Sequence, residues 1–351
     1  MPGRPHRRTD LDARDRALLN RIQEDFPLVP EPYVALGSAL GTDGDDVIAR
    51  ISRLREQAIV RQISAIFDTR ALGYSSTLVA MSLPPDRLEE GAAFINRHPG
   101  VSHNYARRHD YNLWFTLAVP PGGDVASAAT ELGRLIGADR VRVLPTLQLF
   151  KIGVRLDVAG EREPEARETQ PIYAGHQVQR GRALALSPRD IAFIRALQED
   201  LPTLHRPFDP WAEELGTTVD GMFAWCAQMA ETGRLRRFAA VLRHQNAGFV
   251  SNAMGVWRVP SERVGEVGSI MANFAAVSHC YERPTYADFP YNLYTMVHGR
   301  TREEVLRTLE AIAAATGVED RQYLWSSKEF KKERVRYFVE DSFEPSLVGP
   351  A

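Results

Sequence analysis

Cysteine is almost missing from these 351 residues: only Cys226 and Cys280 occur. Neither stands in a CxxC or Cys/His spacing, so a zinc ribbon and a disulfide scaffold are both excluded, and a reduced, cytoplasmic setting is expected. No apolar run approaches the roughly 20 residues that cross a bilayer, so no membrane association is expected. The basic start at Arg4, Arg7 and Arg8 leads into no signal-peptide core, and residues 1–10 are expected to form a disordered tail. A surplus of positive charge is also lacking. The formal net charge is -2, whereas neutralising many phosphates calls for a basic balance. What is present is ordinary globular material, 44% hydrophobic and 25% charged, enough for two to four compact domains.

The chain repeats itself. Leu11-Asp12-Ala13-Arg14-Asp15 and Gln23-Glu24-Asp25-Phe26-Pro27 are echoed at an offset of 175 by Leu186-Ser187-Pro188-Arg189-Asp190 and Gln198-Glu199-Asp200-Leu201-Pro202. Leu40-Gly41-Thr42 meets Leu215-Gly216-Thr217, and Val101-Ser102-His103 meets Val277-Ser278-His279. The offset then grows to 180, where Tyr111-Asn112-Leu113 answers Tyr291-Asn292-Leu293 and Phe150-Lys151 answers Phe330-Lys331. A short insertion, Pro284 to Pro290, therefore belongs to the second copy alone.

Within each copy the apolar period changes. Residues 11–57 carry helical spacing broken by Pro27, Pro30 and Pro32, which predicts three short helices. From Ile63 the period falls towards two, with strands expected at 61–67, 74–83, 101–107, 111–119 and 140–149 and helices at 86–97 and 125–136. Strand, helix, two strands, helix, strand is a ferredoxin-like plan. The expected fold class is α+β, a tandem duplication of a winged helix-turn-helix plus a ferredoxin-like (βαββαβ) ligand domain. The expected boundaries are 11–60 and 61–157 for copy one, a linker at 158–185 rich in Glu, Arg, Gly and Pro, and 186–236 and 237–340 for copy two.

Three helices with Leu11-Asp12 and Asp15 near the start, followed by such an α/β unit, resemble the leucine-responsive regulator/AsnC family. A narrower resemblance lies in Val101-Ser102-His103-Asn104-Tyr105, Arg107, His109 and Tyr111-Asn112-Leu113-Trp114-Phe115-Thr116, which look like the first (NirD-like) subunit type of siroheme decarboxylases. Val277-Ser278-His279-Cys280-Tyr281-Glu282-Arg283 and Pro290-Tyr291-Asn292-Leu293-Tyr294-Thr295-Met296-Val297-His298 look like the second (NirL-like). The resemblance implies both types fused in one chain, removal of two acetate carboxyl groups from siroheme to give 12,18-didecarboxysiroheme in heme d1 or alternative heme biosynthesis, and a ligand site where two α/β domains meet. It implies no cofactor beyond the iron tetrapyrrole substrate and no metal of the protein's own. A homodimer is expected.

A helix-turn-helix ordinarily binds DNA through its second helix. Here that segment begins Thr42-Asp43-Gly44-Asp45-Asp46 in copy one, with carboxylates where phosphates would lie, and in copy two Thr217 to Trp225 carries no Lys or Arg. No DNA binding is expected, although Arg50, Arg53 and Arg55 keep a tetrapyrrole-responsive regulator open as an alternative; a carrier without turnover is a third reading.

Strand alternation puts Val101, His103, Tyr105 and Arg107 on one face, and Val277, His279, Tyr281 and Arg283 likewise. If copy one stays extended, His109 and Tyr111 join them. A lone strand histidine is most often structural; a His, Tyr and Arg repeated in both copies point to a site. His103, His109, His279 and His298 are the candidate acids or iron-facing ligands, the two roles not separated. Arg107 and Arg283 are candidates for holding carboxylates, as are Lys328 and Lys331 in Trp325-Ser326-Ser327-Lys328-Glu329-Phe330-Lys331-Lys332. Tyr105, Tyr111, Asn112, Trp114, Tyr281, Tyr291 and Asn292 complete the expected substrate contacts. The copies differ at His109 against Thr285, Ala118 against His298 and Gln148 against Lys328.

Overall fold

Copy one runs α1 (Ala13–Glu24), α2 (Pro32–Leu40), α3 (Gly44–Glu56), β1 (Val60–Phe67), β2 (Ser75–Ser82), α4 (Leu88–Asn96), β3 (Val101–Arg107), β4 (Leu113–Val119), α5 (Val125–Ile136), β5 (Arg140–Leu144) and β6 (Gln148–Ile152). Copy two runs α6 (Pro188–Leu197), α7 (Asp209–Glu214), α8 (Val219–Glu231), β7 (Leu235–Leu242), β8 (Ser251–Trp257), α9 (Val264–Ala272), β9 (Val277–Glu282), β10 (Leu293–Gly299), α10 (Arg302–Thr316) and β11 (Arg321–Lys332). This computed structural model describes residues 11–152, 166, 185–242 and 251–339. The expected tail at 1–10, and all of the expected linker at 158–185 except residues 166 and 185, lie outside the described residues.

The elements divide into two compact units. In the first, the helices of both copies start on matching capping boxes. Asp12 accepts from the Asp15 N–H at 2.6 Å while Asp15 accepts from the Asp12 N–H, and Ser187 and Asp190 do the same for α6. Leu18, Leu19, Ile22, Val47, Ile51 and Leu54 are buried beneath them, as the helical spacing required. Strand β1 was expected to open the first ferredoxin-like domain, and residues 237–242 the second. Both expectations are corrected: β1 pairs antiparallel with β7, from Val60 opposite Leu242 to Phe67 opposite Leu235, in a two-stranded sheet of the helical unit. A period of two identifies a strand but not its partner. Here each copy's wing finds its ladder bonds in the other copy, and Phe26 and Phe208 pack on Phe238 beside it.

The same unit accounts for the arginines that kept DNA in play. Arg50 bonds Asp12 at 2.7 Å, the fully buried Asp15 at 2.8 Å and Asp46 at 2.9 Å; Arg53 meets Asp15 at 2.5 Å, and Arg55 meets Asp200 at 2.7 Å. In copy two Trp225 replaces Arg50 and donates its indole N–H to Asp190 at 2.8 Å.

The second unit holds both ferredoxin-like halves. Among the described residues its nine strands lie in the order β5-β2-β4-β3-β11-β8-β10-β9-β6, every pair antiparallel. The two ends of that order, β5 and β6, are consecutive in the chain, so the ring of strands is closed by a three-residue connection. The expected single strand at 140–149 is thus broken. Pro145, which has no N–H to donate, follows β5 directly, and the chain leaves β2 to pair with β9 of copy two. Strand β11 makes the reciprocal crossing without a break: residues 321–325 pair with β8 and residues 326–332 with β3. Each crossing carries a phenylalanine into the other copy's helix-covered core, Phe330 against the cluster of Ile95 and Val101, and Phe150 among Val267, Met271 and Val277. Gly268 is needed there, since a Cβ would stand 2.4 Å from the Phe150 ring.

A third core lies between the two sheets, made of Ala80, Tyr111, Trp114 and Leu144 from copy one and Met254, Val256, Phe289, Tyr291, Tyr294 and Leu324 from copy two. The insertion supplies its centre. Phe289, 2% exposed, touches the rings of His109, Tyr111, Trp114, Tyr291 and Tyr294 at 5.2–6.4 Å. Asp288 next to it accepts from the Tyr111 hydroxyl at 2.6 Å and from Arg142 at 2.7 Å, and the Tyr286 hydroxyl donates to the Val143 carbonyl at 2.7 Å. The Arg142 guanidinium and the Tyr111 hydroxyl hold the Asp288 carboxyl well below the usual carboxylate range.

Phe289→Ala is expected to lower unfolding stability by about 3–5 kcal/mol, the usual cost of emptying a buried aromatic site, measured by denaturant unfolding. Because the folded pKa of Asp288 is depressed, its contribution is complete above the unfolded carboxylate pKa near 4 and is lost as pH falls further. Asp288→Asn is therefore expected to destabilise the protein at pH 7 and to flatten the acid limb of its stability profile between about pH 4 and 2.

Candidate active site

Along β3 the backbone does not alternate evenly. A register shift separates Val101 from His103, so Val101 lies in the helix-side core and Asn104 donates to the Ala92 carbonyl of α4, while His103 and Tyr105 pair with Thr116 and Trp114 and face the space between the sheets. Copy two has the same irregularity. Val277 and Cys280 face α9, and His279 and Tyr281 pair with Met296 and Tyr294 on the other side. The expectation that Val101 and Val277 share a face with the histidines is corrected. A β-bulge at each serine re-aims the histidine, a device that strands use beside binding sites.

The result is two matching ladders. The His103 and Tyr105 rings stack at 6.3 Å with Arg107 5.7 Å over Tyr105; the His279 and Tyr281 rings stack at 5.9 Å with Arg283 4.8 Å over Tyr281. Each histidine Nδ1 is held by the hydroxyl of the preceding serine, Ser102 at 2.9 Å and Ser278 at 2.8 Å. His298 extends the second ladder. It follows Tyr294 and Met296 on the same face of β10, diagonal to His279 on the neighbouring strand, where side chains stand roughly 7–8 Å apart. Copy one has Ala118 there. His103, Tyr105, His279, Tyr281 and His298 are all half-buried.

The arginines are buried. Arg107 is 6% and Arg283 7% exposed, and each reaches across to a carbonyl of the other copy, Leu324 at 2.6 Å for Arg107 and Leu144 for Arg283. Burial pulls the Arg107 pKa down to about 10. These bonds join the two copies. The lysines bond to helix α4. Lys328 pairs with Glu89 of α4 at 2.6 Å, and Lys331 donates to the Asn96 carbonyl at the end of that helix at 2.7 Å, as the fully buried Lys151 does to Phe274. A second register shift in β11, between Glu329 and Lys331, turns Lys331 to the helix side.

Asn112 and Asn292 are hairpin fasteners. Asn112 exchanges two bonds with the backbone of Leu83 at 3.0 and 2.7 Å, and Asn292 does so with Val259 at 2.9 and 2.8 Å. Trp114 donates to the Tyr111 carbonyl at 2.6 Å within the central core, which also absorbs Tyr111 and Tyr291. His109 is not reached by an extended strand. The chain bends at 108–111, and His109 stacks on Tyr111 at 6.0 Å beside Phe289. The Tyr111 N–H donates to its Nδ1 at 2.9 Å, and burial pulls its pKa below the ordinary histidine value.

Several residues beside the two ladders were not singled out from the sequence. Glu329 and Lys332 of β11 flank Tyr105 and His103, whereas Leu149 and Ile152 of β6 flank Tyr281 and His279. The first ladder therefore has charged neighbours and the second apolar ones. Met296 and Thr116 are a further difference. The repeated Ser-His pair was the sequence signal for Ser102 and Ser278; the crossing strands left none.

Residues 15–61 and 190–236 match the family model described as the siroheme decarboxylase NirDL-like HTH domain, and residues 71–151 and 246–331 match the AsnC-like ligand binding domain. The siroheme decarboxylase of Hydrogenobacter thermophilus is 39% identical over 327 residues, covering 92% of this chain and 95% of that protein. The siroheme decarboxylase NirDL subunit of Paracoccus denitrificans is 33% identical, with 92% and 96% covered. A crystal structure of the siroheme decarboxylase NirDL in complex with an iron-uroporphyrin III analogue superposes with a TM-score of 0.69 at 34% identity, covering 93% of this chain and 94% of that one. With both modules matched twice and relatives matched over nearly their whole length, the chain belongs to the siroheme decarboxylase family, in its fused NirDL form.

Proposed function

We propose that the protein converts siroheme to 12,18-didecarboxysiroheme, releasing two molecules of CO₂. The observation that carries the reading is the pair of stacked His-Tyr ladders facing each other's sheets, one of them extended by His298. Each step replaces a ring acetate's carboxylate by a proton: the C–CO₂ bond breaks, its electrons enter the conjugated macrocycle, and the methylene carbon takes up a proton to become a methyl group. The protein's work is to orient the acetate and to deliver that proton. Leu149, Ile152 and Met296 beside His279 suit the apolar face of a macrocycle, and Lys332, opposite His103, offers a cation for peripheral carboxylates. A positioned acid supplies about 10²- to 10⁴-fold, and the remainder rests on orientation and on the ring's own electronics.

The helix-turn-helix modules serve as scaffold in this reading. The cations of α3 are bonded to Asp12, Asp15, Asp46 and Asp200, and docking on DNA would set the exposed Asp12 and the partly exposed Asp46 against phosphates. Fluorescence anisotropy with duplex DNA at 50 and 200 mM salt is expected to give no salt-dependent binding, with or without tetrapyrrole; a steep salt slope would restore the regulator.

Anaerobic incubation with siroheme, followed by mass spectrometry, is expected to show loss of two CO₂. His279→Ala and His298→Ala are each expected to slow product formation by at least about 10²-fold, whereas Lys328→Ala, which breaks a surface pair with Glu89, leaves the rate within a factor of about two. Full activity in both histidine variants would overturn the site assignment.

A further inference from the structure

The serine beside each ladder histidine is bonded differently in the two copies, and the difference decides where the histidine carries its proton. In copy two the Ser278 hydroxyl donates to the Met296 carbonyl at 3.2 Å. Its single proton is thereby committed, so toward His279 Nδ1, at 2.8 Å, the Ser278 oxygen acts as acceptor. Neutral His279 then carries its proton on Nδ1, and Nε2 is the nitrogen with the lone pair. In copy one the hydroxyl of Ser102 faces another hydroxyl instead, Thr116 Oγ1 at 2.7 Å, which also accepts the His103 backbone N–H at 3.2 Å. Either hydroxyl can be the donor there, so the chain Thr116, Ser102, His103 can run in both directions and both tautomers of His103 are served.

We propose that Ser278 is a positioning residue that locks His279 as its Nδ1–H tautomer, directing an Nε2 lone pair at the iron of the bound tetrapyrrole, and that Met296 in place of a threonine is what makes the lock one-way. This rests on the siroheme reading of the site and divides what that reading leaves joined: His279 is the iron-facing base, and the histidine with an unlocked tautomer is His103. A ring nitrogen's ligand role is set by the bond its other nitrogen makes, and loss of such a partner typically weakens metal binding by roughly 10- to 100-fold.

The test compares ferric iron uroporphyrin III with metal-free uroporphyrin III as probes on the full-length protein. Wild-type protein is expected to prefer the iron form and to shift its Soret band. Ser278→Ala is expected to lose roughly 10- to 100-fold in affinity for the iron probe, with the Soret shift diminished and metal-free binding unchanged. Ser278→Thr, which keeps the hydroxyl, is expected to restore the iron preference, and Ser102→Ala is expected to leave it untouched. The proposal is overturned if Ser278→Ala keeps the wild-type ratio of the two affinities, or if Ser102→Ala lowers it as much. Because each variant is judged on the ratio of two probes, a general loss of folded protein cannot imitate the expected result. Wild-type protein that binds neither porphyrin would sink the siroheme reading itself; binding of both without preference for iron would sink only the tautomer assignment.

Discussion

The reciprocal crossing of strands between the two α/β halves is the constraint on which the ligand-facing geometry depends. A ferredoxin-like sheet ends in two open edges whose backbone donors and acceptors need partners. Here β11 covers the edge at β3 and β6 covers the edge at β9, and the neighbouring segment of each crossing chain completes the sheet it came from. Phe150 and Phe330 anchor the crossings in the opposite cores, Lys151 and Lys331 fasten them to the ends of the opposite helices, and Arg107 and Arg283 tie the sheets together at the level of Leu324 and Leu144. Four of the chain's conspicuous cations are therefore used to hold the halves face to face. The site inherits its shape from that arrangement, and its chemistry has to come from the histidines, tyrosines and strand neighbours that remain on the inner face.

Symmetry in the framework throws the local differences into relief. Both bulges, both serines and both His-Tyr stacks coincide, so Thr116 against Met296, Ala118 against His298, and the charged against the apolar flanks are changes made on a common geometry. A single methyl or hydroxyl substitution on such a framework alters a proton's location or a wall's polarity without moving the backbone.

Much of the fold was legible in the sequence because it is written locally. The capping residues Asp12 and Ser187, the periods of 3.6 and 2, and the co-linear repeat placed nearly every helix and strand, and β3 and α5 were placed to the residue. What escaped is non-local. Nothing in residues 60–67 says that their partner is residues 235–242 of the other copy, and nothing in the alternation of 101–107 reveals a bulge, since a bulge changes which face a residue takes while leaving the composition unchanged. The repeated strand motif brought His103 beside Tyr105 and His279 beside Tyr281, but it carried no sign of the carbonyls to which the buried cations are bonded. Arg107, Arg283 and Lys331 were read as carboxylate holders from their charge and donor geometry, and the structure gives each a backbone carbonyl of the other copy as a partner. The insertion at 284–290 was visible as extra length, yet its role as the centre of the inter-sheet core depends on five rings drawn from both copies.

That insertion also governs which halves can be joined. Asp288 finds Arg140 and Arg142 because it belongs to copy two and they belong to copy one. At the equivalent positions copy two has Asp320 and Gln322, and copy one has no insertion at all. Two second halves brought together would set Asp288 against Asp320, and two first halves would both lack the insertion and its carboxylate. The clasp thus joins unlike halves: its carboxylate comes from one copy and its guanidinium groups from the other.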